Sequence, residues 1–409
     1  MIALCHSGIA GAAPFPHMEN AAVPLAAIEG IDVVITGHTH QVFPGPQIPA
    51  SALVDPEGGT LHGKPAVMAG HGASHIGRID LTLERRANGE PWRVAAHHVA
   101  ALPAHHSAQP DPQILAALSC HHARTVARIR RPIGQSRTRI ESYFALAAPS
   151  SAIQVLADAQ RRFVTESIAG LPDLPILSAA SVSRAGGRGG PENYVDIPAG
   201  PLLLGAAASL YPFPNPLCVV ELDGRDVRDW LERAASLYRQ IPEGAQRMPL
   251  LSGEAAGYNF DILDGVTYAI DLRAPPRFKP NGVLLDEAAG RVRDVALDGK
   301  PVQDDQRFLV ITNTFRTAGG GRFRAARTAD MVFQSRLPTR DIVARYLSAN
   351  QNLAVTPRQT WSFAGYDSPT TVTFDTGPAA IDLPLPAAGR GVWHIGSGED
   401  GSERFEIKL

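Results

Sequence analysis

Four consecutive residues, Gly37-His38-Thr39-His40, carry the densest chemical potential in this chain, standing directly after the apolar run Ile31-Asp32-Val33-Val34-Ile35. Two imidazoles one residue apart at the end of a buried strand suit metal ions better than they suit a core. The same pattern occurs a second time, because His6-Ser7-Gly8 follows the apolar Met1-Ile2-Ala3-Leu4-Cys5. Neutral imidazoles of this kind can hold cations that polarise a phosphoryl oxygen and present a bound hydroxide for in-line attack. A two-ion cage also needs carboxylates to bridge the ions and offset their charge. The other eleven of the 14 histidines, including His71, His75, His97 and His98, read as hydrogen-bonded core or surface residues.

These side chains need strands to place them. Residues 1 to about 100 alternate strands with loops, at Met1–Cys5, Ile31–Thr36, Pro65–Ala69, Ile76–Leu83 and Trp92–Ala96, the pattern of part of an α/β or layered sandwich domain. A polar, proline-containing stretch over 104–112 then leads into an arginine-rich helix, expected at Gln113–Arg131. The organisation read from this is a first domain over 1–103, a linker and connecting helix over 104–131, and a longer second domain over 132–409. Within the second domain, Ser150 or Ser151 is expected to cap a helix carrying Leu156, Ala159 and Phe163. Pro216–Leu222 reads as a strand, followed by a helix whose apolar stripe runs Val227, Trp230, Leu231, Ala234 and Tyr238. Val292–Leu297 and Arg307–Thr312 read as a meander, and Thr339 as the cap of a helix bearing Ile342, Val343, Tyr346 and Leu347.

Composition narrows the classes. A 409-residue chain with 44% hydrophobic and 19% charged residues is globular and long enough for two or more domains. Its net charge of −2 gives no electrostatic footprint for a nucleic-acid polymer or an anionic membrane. Three cysteines, far apart, offer no C-x-x-C pair. No stretch reaches the length of a membrane span, and residues 1–20 lack a leader pattern, so the expectation is a cytoplasmic protein or one whose N-terminus lies upstream.

At the level of motifs, His6-Ser7-Gly8 and Gly37-His38-Thr39-His40 resemble the last two metal-binding motifs of the calcineurin-like metallophosphoesterases. Residues 132–365 resemble the C-terminal domain of the bacterial 5'-nucleotidase family, in the branch of the periplasmic bifunctional 2',3'-cyclic-nucleotide 2'-phosphodiesterase/3'-nucleotidases. The segments that carry this likeness are Gly186-Gly187-Arg188, Tyr211-Pro212-Phe213-Pro214-Asn215, the run from Tyr258 to Tyr268, and Thr312-Asn313-Thr314-Phe315-Arg316 leading to Gly319-Gly320-Gly321.

The resemblance implies an α/β (α+β) fold, part of a metallophosphoesterase sandwich followed by a nucleotidase C-terminal domain. It implies two divalent ions, such as Mn, Co or Zn, with His6 and His38 on one and His40 on its neighbour. Phe213 and Phe315 match the two aromatic positions that sandwich a nucleobase, and Arg188 matches the arginine that reaches the phosphate. Asn215, Asn313, Gly319 and Gly320 complete the substrate-binding set. Stacking holds any base, since every base offers two apolar faces. The family's Asp-x-His, Gly-Asp and Gly-Asn-His motifs precede His-Ser-Gly and do not fit into residues 1–5, so the chain is expected to be a fragment with an incomplete metal site and exposed strand surface. The implied location is the periplasm and the implied partner a nucleotide or nucleoside. Three readings stay open: a hydrolase of 2',3'-cyclic and 3'-nucleotides, a catalytically silent nucleoside-binding module, and a hydrolase of 5'-nucleotides or nucleotide sugars.

Overall fold

Apolar runs that end in histidine become parallel strands. The computed structural model spans residues 1–409 and describes all of them except 15–17, 19, 86–91, 105–108, 254–255, 386–390 and 399, with the side chain of Arg188 also outside the described set. The chain forms two compact units, Met1–Ser119 and Cys120–Leu409. Among the described residues no helix is long and apolar enough to cross a membrane.

In the first unit, strands β1 (Ile2–Leu4), β2 (Val33–Thr36) and β3 (Lys64–Ala69) lie side by side, all parallel. Val34, Ala66 and Met68 pack on Ala22, Val23 and Phe43 beneath them. Ile2 and Leu4 on the edge strand β1, and Ile35 on β2, are exposed. Beyond this sheet, His75–Glu84 and Arg93–Pro103 form a long antiparallel hairpin. Its second strand continues past the expected end at Ala96, because the ladder carries the polar His97 and His98 in register. Helix α1 (Pro112–Ile129) follows; of the expected polar joint, residues 105–108 lie outside the described set.

The second unit is built on a five-stranded sheet. Strands β4 (Ile176–Ala180), β5 (Pro216–Asp223), β6 (Ile262–Asp264), β7 (Arg307–Asn313) and β8 (Asp330–Pro338) take the spatial order β6-β4-β7-β5-β8. Only the β4/β7 pair is parallel. Both faces are covered, which explains why β5 and β7 read as continuous apolar runs rather than alternating ones. One face carries Leu217, Val219, Leu309 and Ile311 against Val164 and Ile342. Residues of alternate register, Val220, Leu222, Phe308 and Val310, share a core with Val227, Trp230 and Leu231.

Helices start where the caps dictate. Ser150 Oγ accepts from the Ala152 amide at 3.2 Å to open α2 (Ser151–Ser167), and Asp223 accepts from the Asp226 amide at 2.9 Å to open α3 (Gly224–Ala235). Three expectations require correction. Tyr238 lies beyond α3; its ring packs against Phe260 and Phe363, and its hydroxyl donates to the Leu146 carbonyl at 3.0 Å. The expected meander does not form. Val292–Leu297 pairs with Thr267–Ile270 in a separate sheet, while β7 is drawn between β4 and β5, where its apolar residues are covered on both faces. Thr339 is the first residue of its helix, α5 (Thr339–Ala349), after α4 (Thr314–Thr317); its amide and hydroxyl both donate to the Asn215 carbonyl, at 2.8 and 3.0 Å.

Candidate functional site

Parallel register in the first unit gathers the imidazoles. Ile2 pairs with Val33 and Leu4 with Ile35, so His6 and His38 leave β1 and β2 at the same carboxyl end. The Gly37 amide donates to the Ser7 carbonyl at 3.3 Å, and the Thr36 hydroxyl donates to the same oxygen. The Ala21 amide donates to Ser7 Oγ at 2.7 Å. Thus tied, the rings of His6 and His38 stand edge to face with centroids 5.1 Å apart and planes at 68°. His38 and His40 both adopt left-handed backbone, φ 73° and 62°, a conformation that side chains with a Cβ adopt at a cost and that collects at functional sites.

His40 has a different neighbour. Its ring stacks on His71 at 4.8 Å, with the planes 14° apart. Sequence reasoning placed His71 among ordinary surface or core residues, yet β3 is parallel to β2 and ends at the same side, delivering Gly70-His71 there. The signal was a third apolar strand ending in glycine and histidine.

In the second unit four chain segments meet at one end of the sheet, beyond the carboxyl ends of the parallel strands β4 and β7, where open α/β sheets bind ligands. The register fixes this meeting. Leu217 pairs with Asn313, so the segment Tyr211–Asn215 before β5 and the segment after β7 emerge together, and Ala180 pairs with Ile262, which brings Tyr258–Asp261 beside Ser181. A small recess there is lined by Gln160, Ser181, Tyr211, Asp261, Thr312 and Asn313. The Thr312 hydroxyl is buried in it without a hydrogen-bond partner among the described residues.

The expected binding residues distribute around this end. Phe213 is 49% exposed and stands edge to face with Tyr211 at 6.4 Å, a large apolar ring left open to solvent on a loop. The Tyr211 hydroxyl, its pKa raised by burial, bonds the Asn215 side chain and Thr339. Asn313 serves as a helix cap, its Oδ1 accepting from the Arg316 amide at 3.1 Å, which turns the chain so that Phe315 follows half-buried. Gly320 lies flush on that ring: a Cβ at this position would meet Phe315 ring carbons at 2.4 to 2.5 Å. Gly319 and Gly321 are left-handed, φ 98° and 71°. Arg188 sits in a tight turn, Gly187–Gly189, following the left-handed Gly186; its side chain lies outside the described set.

One cluster was not assigned any role from sequence. Arg316 is buried and grips Asp261 by two bonds, Nε to Oδ2 at 2.9 Å and Nη2 to Oδ1 at 2.8 Å. It also donates to the carbonyls of Tyr258 (2.6 Å) and Gly320 (3.3 Å) and to Asn259 Oδ1 (3.1 Å). Trp230 Nε1 donates to Asp261 Oδ2 at 3.1 Å. Arg233 donates to the Gly321 carbonyl at 2.8 Å. Burial, followed by the nearby Arg316 charge, pushes the Arg233 guanidinium down to about 10. The sequence signal was a carboxylate inside the apolar run Phe260-Asp261-Ile262-Leu263, which needs a partner to be buried.

Residues 132–328 match the model of the 5'-nucleotidase C-terminal domain. Two 2',3'-cyclic-nucleotide 2'-phosphodiesterase/3'-nucleotidases, from Salmonella typhimurium and Yersinia enterocolitica, are 33% and 32% identical to the chain over 92% and 100% of its length. Residues 132–328 thus carry the signature of a 5'-nucleotidase C-terminal domain, and the chain is similar to these two relatives over nearly all of its length. The chain spans 61% and 65% of the length of those two relatives. A trifunctional nucleotide phosphoesterase of Bacillus subtilis is 33% identical over 92% of the chain, which covers 26% of that larger protein. Among solved structures, a 5'-nucleotidase of Staphylococcus aureus described as putative superposes with a TM-score of 0.59 at 16% identity, over 88% of this chain and 62% of that one, and so shares the fold.

Divalent ions are implied by the resemblance of the two histidine motifs to metal-binding motifs, and the donor set tests the fit. Two imidazoles sharing a tetrahedral ion through bonds of about 2 Å have centroids about 5 Å apart, close to the spacing of His6 and His38. That pair fits half a coordination sphere. Yet among the described residues no three His, Cys, Asp or Glu side chains converge, and His40 stacks on His71. The described donors therefore do not fit a two-ion cage.

Proposed function

We propose that this chain supplies the nucleoside-binding part of a metal-dependent nucleotide phosphoester hydrolase, of the 2',3'-cyclic-nucleotide 2'-phosphodiesterase/3'-nucleotidase type, working in nucleotide catabolism in the periplasm. The observation that carries this reading is the convergence of the Phe213 loop and the Phe315 loop at one sheet end, through the Leu217–Asn313 register. An exposed ring on one loop and a half-buried ring on the other are apt to take a base between them. Arg188, between glycines that let backbone approach closely, is the candidate for the phosphate. Asn215, Asn313, Gly319 and Gly320 would line the nucleoside. A metal-dependent step in such a hydrolase would need donors beyond His6, His38 and His40, since among the described residues no three ligating side chains converge.

Because the described donors are imidazoles without a converging carboxylate, a second reading has specific support, namely a nucleoside-binding module with no turnover of its own. Calorimetry with adenosine, alongside hydrolysis of 2',3'-cyclic AMP, 3'-AMP and 5'-AMP with added Mn or Co, separates the two. The expected result is adenosine binding that Phe213→Ala weakens, with negligible hydrolysis. Turnover of 2',3'-cyclic AMP that vanishes in His38→Ala would instead make the chain a self-sufficient enzyme. Absence of adenosine binding would reject the nucleoside pocket itself.

A further inference from the structure

Stacking on Phe315 requires that its ring stand still, and this rests on the nucleoside-binding reading above. Phe315 belongs to α4, a helix of only four residues, which has too few internal hydrogen bonds to hold a ring by itself. Its neighbours hold it instead. On one side the Arg316 guanidinium lies 5.3 Å from the ring centroid. Gly320 presses against the ring carbons, and its carbonyl is bonded by that same guanidinium. Arg316 is in turn immobile, forked onto Asp261, bonded to the Tyr258 carbonyl and Asn259, and stacked on Phe323 at 4.3 Å. Arg233 fixes the next carbonyl, Gly321, and also lies over Phe323 at 5.2 Å.

We propose that Arg316, locked by Asp261, is a positioning residue for base recognition: it joins the Phe315 ring to the Gly319–Gly321 turn and sets the orientation in which that ring meets a nucleobase. The fork geometry matters more than the charge. A lysine at the same place is a point charge that cannot serve two carboxylate oxygens and two carbonyls at once. The pair is also almost fully buried, with both side chains 4% exposed, so a loss of grip transmits to the ring rather than to solvent.

Adenosine affinity is measured by calorimetry on the full chain for the wild type, Arg316→Lys, and the paired replacement Asp261→Leu with Arg316→Met. The paired variant is included because swapping both partners of a buried ion pair for apolar residues commonly preserves folding where removal of one partner does not. Each change is repeated in a Phe315→Ala background, with circular dichroism to establish the fold. The expected result is a tenfold or greater loss of affinity in the folded variants and less than a twofold further loss once Phe315 is gone. Affinity within threefold of wild type in either folded variant, or an equal loss with and without Phe315, would overturn the positioning role. Unfolding of both variants would assign the pair to stability and overturn it as well. If the wild type binds no adenosine, or Phe315→Ala binds as tightly, the stacking reading fails first, which distinguishes that failure from this one.

Discussion

Gly320→Ala is the most discriminating perturbation of the candidate pocket. The added Cβ would stand 2.4 to 2.5 Å from three ring carbons of Phe315. Carbon atoms rest about 3.5 to 4.0 Å apart, so ring and loop must separate by about 1 Å. Neither yields freely, since the Gly320 carbonyl is bonded to Arg316 and Arg316 to Asp261. Forced insertion of a methyl into such packing costs about 1 to 3 kcal/mol. A ring displaced by that distance also forfeits a base stack worth about 1 to 3 kcal/mol, and at about 1.4 kcal/mol per decade its full loss is about a fivefold to a hundredfold drop in adenosine affinity. Gly299→Ala is the control. Its φ of 76° strains an alanine, by about 1 to 2 kcal/mol, but no described neighbour lies within 4 Å of the added Cβ and no ring is touched. Both variants should therefore melt a few degrees lower, while only Gly320→Ala loses affinity beyond about threefold. Calorimetry and thermal melts read the two effects separately. Equal affinity losses in the pair, or an unchanged affinity in Gly320→Ala, would refute the claim that the glycine exists to seat the ring.

Other expectations are simpler. Phe213→Ala removes a ring that is half open to solvent, so its melting temperature should move by no more than a degree or two, while adenosine binding weakens about tenfold or more through the lost stack; a matching loss of stability would place Phe213 in the core. Asn313→Ala deletes the cap of the helix that carries Phe315 and should cost about 0.5 to 2 kcal/mol in urea unfolding, with a null effect showing that the cap bond is dispensable. Burial pushes the Glu141 carboxyl above its ordinary 4.5. As pH rises from about 4.5 the unfolded chain ionises first, and stability falls until the folded carboxyl has also ionised. Glu141→Gln should therefore gain stability over wild type between pH 4 and pH 7; an equal difference at both pH values contradicts it. His6→Ala and His38→Ala should each weaken binding of one Zn equivalent, followed by calorimetry, whereas His40→Ala should leave that equivalent in place; the opposite pattern would break the His6–His38 pairing.

Much of this arrangement could be read before any coordinate was known, where local chemistry decides it. Ser150 opens its helix by a side-chain bond to a nearby amide, and the histidine-terminated strands are set by apolar runs. Long-range register was not legible. Nothing local says that β7 leaves Val292–Leu297 behind and inserts between β4 and β5, or that Asp261 meets Arg316 across the sheet end. The pairing of His40 with His71 was missed for the same reason, since it depends on β3 lying parallel to β2. Thr339 looked like a cap because its residue type favours that position, but the Asn215 carbonyl claims both of its donors.

The parallel contact of β4 with β7 has a bearing on how the second unit comes to exist. It seats Ile176 beside Leu309, partners from distant parts of the chain, while the bridge from Ser136 to Leu353 closes a longer loop still. Such pairings form only after much chain has already been ordered, and they slow the search for the native state. The recess between Ser181, Asp261 and Asn313 cannot therefore exist in any partly folded intermediate that lacks β7. A nucleoside that binds at this end of the sheet, against the loop that follows β7, would report on completion of the unit, and would act on its equilibrium as a ligand of the native state alone.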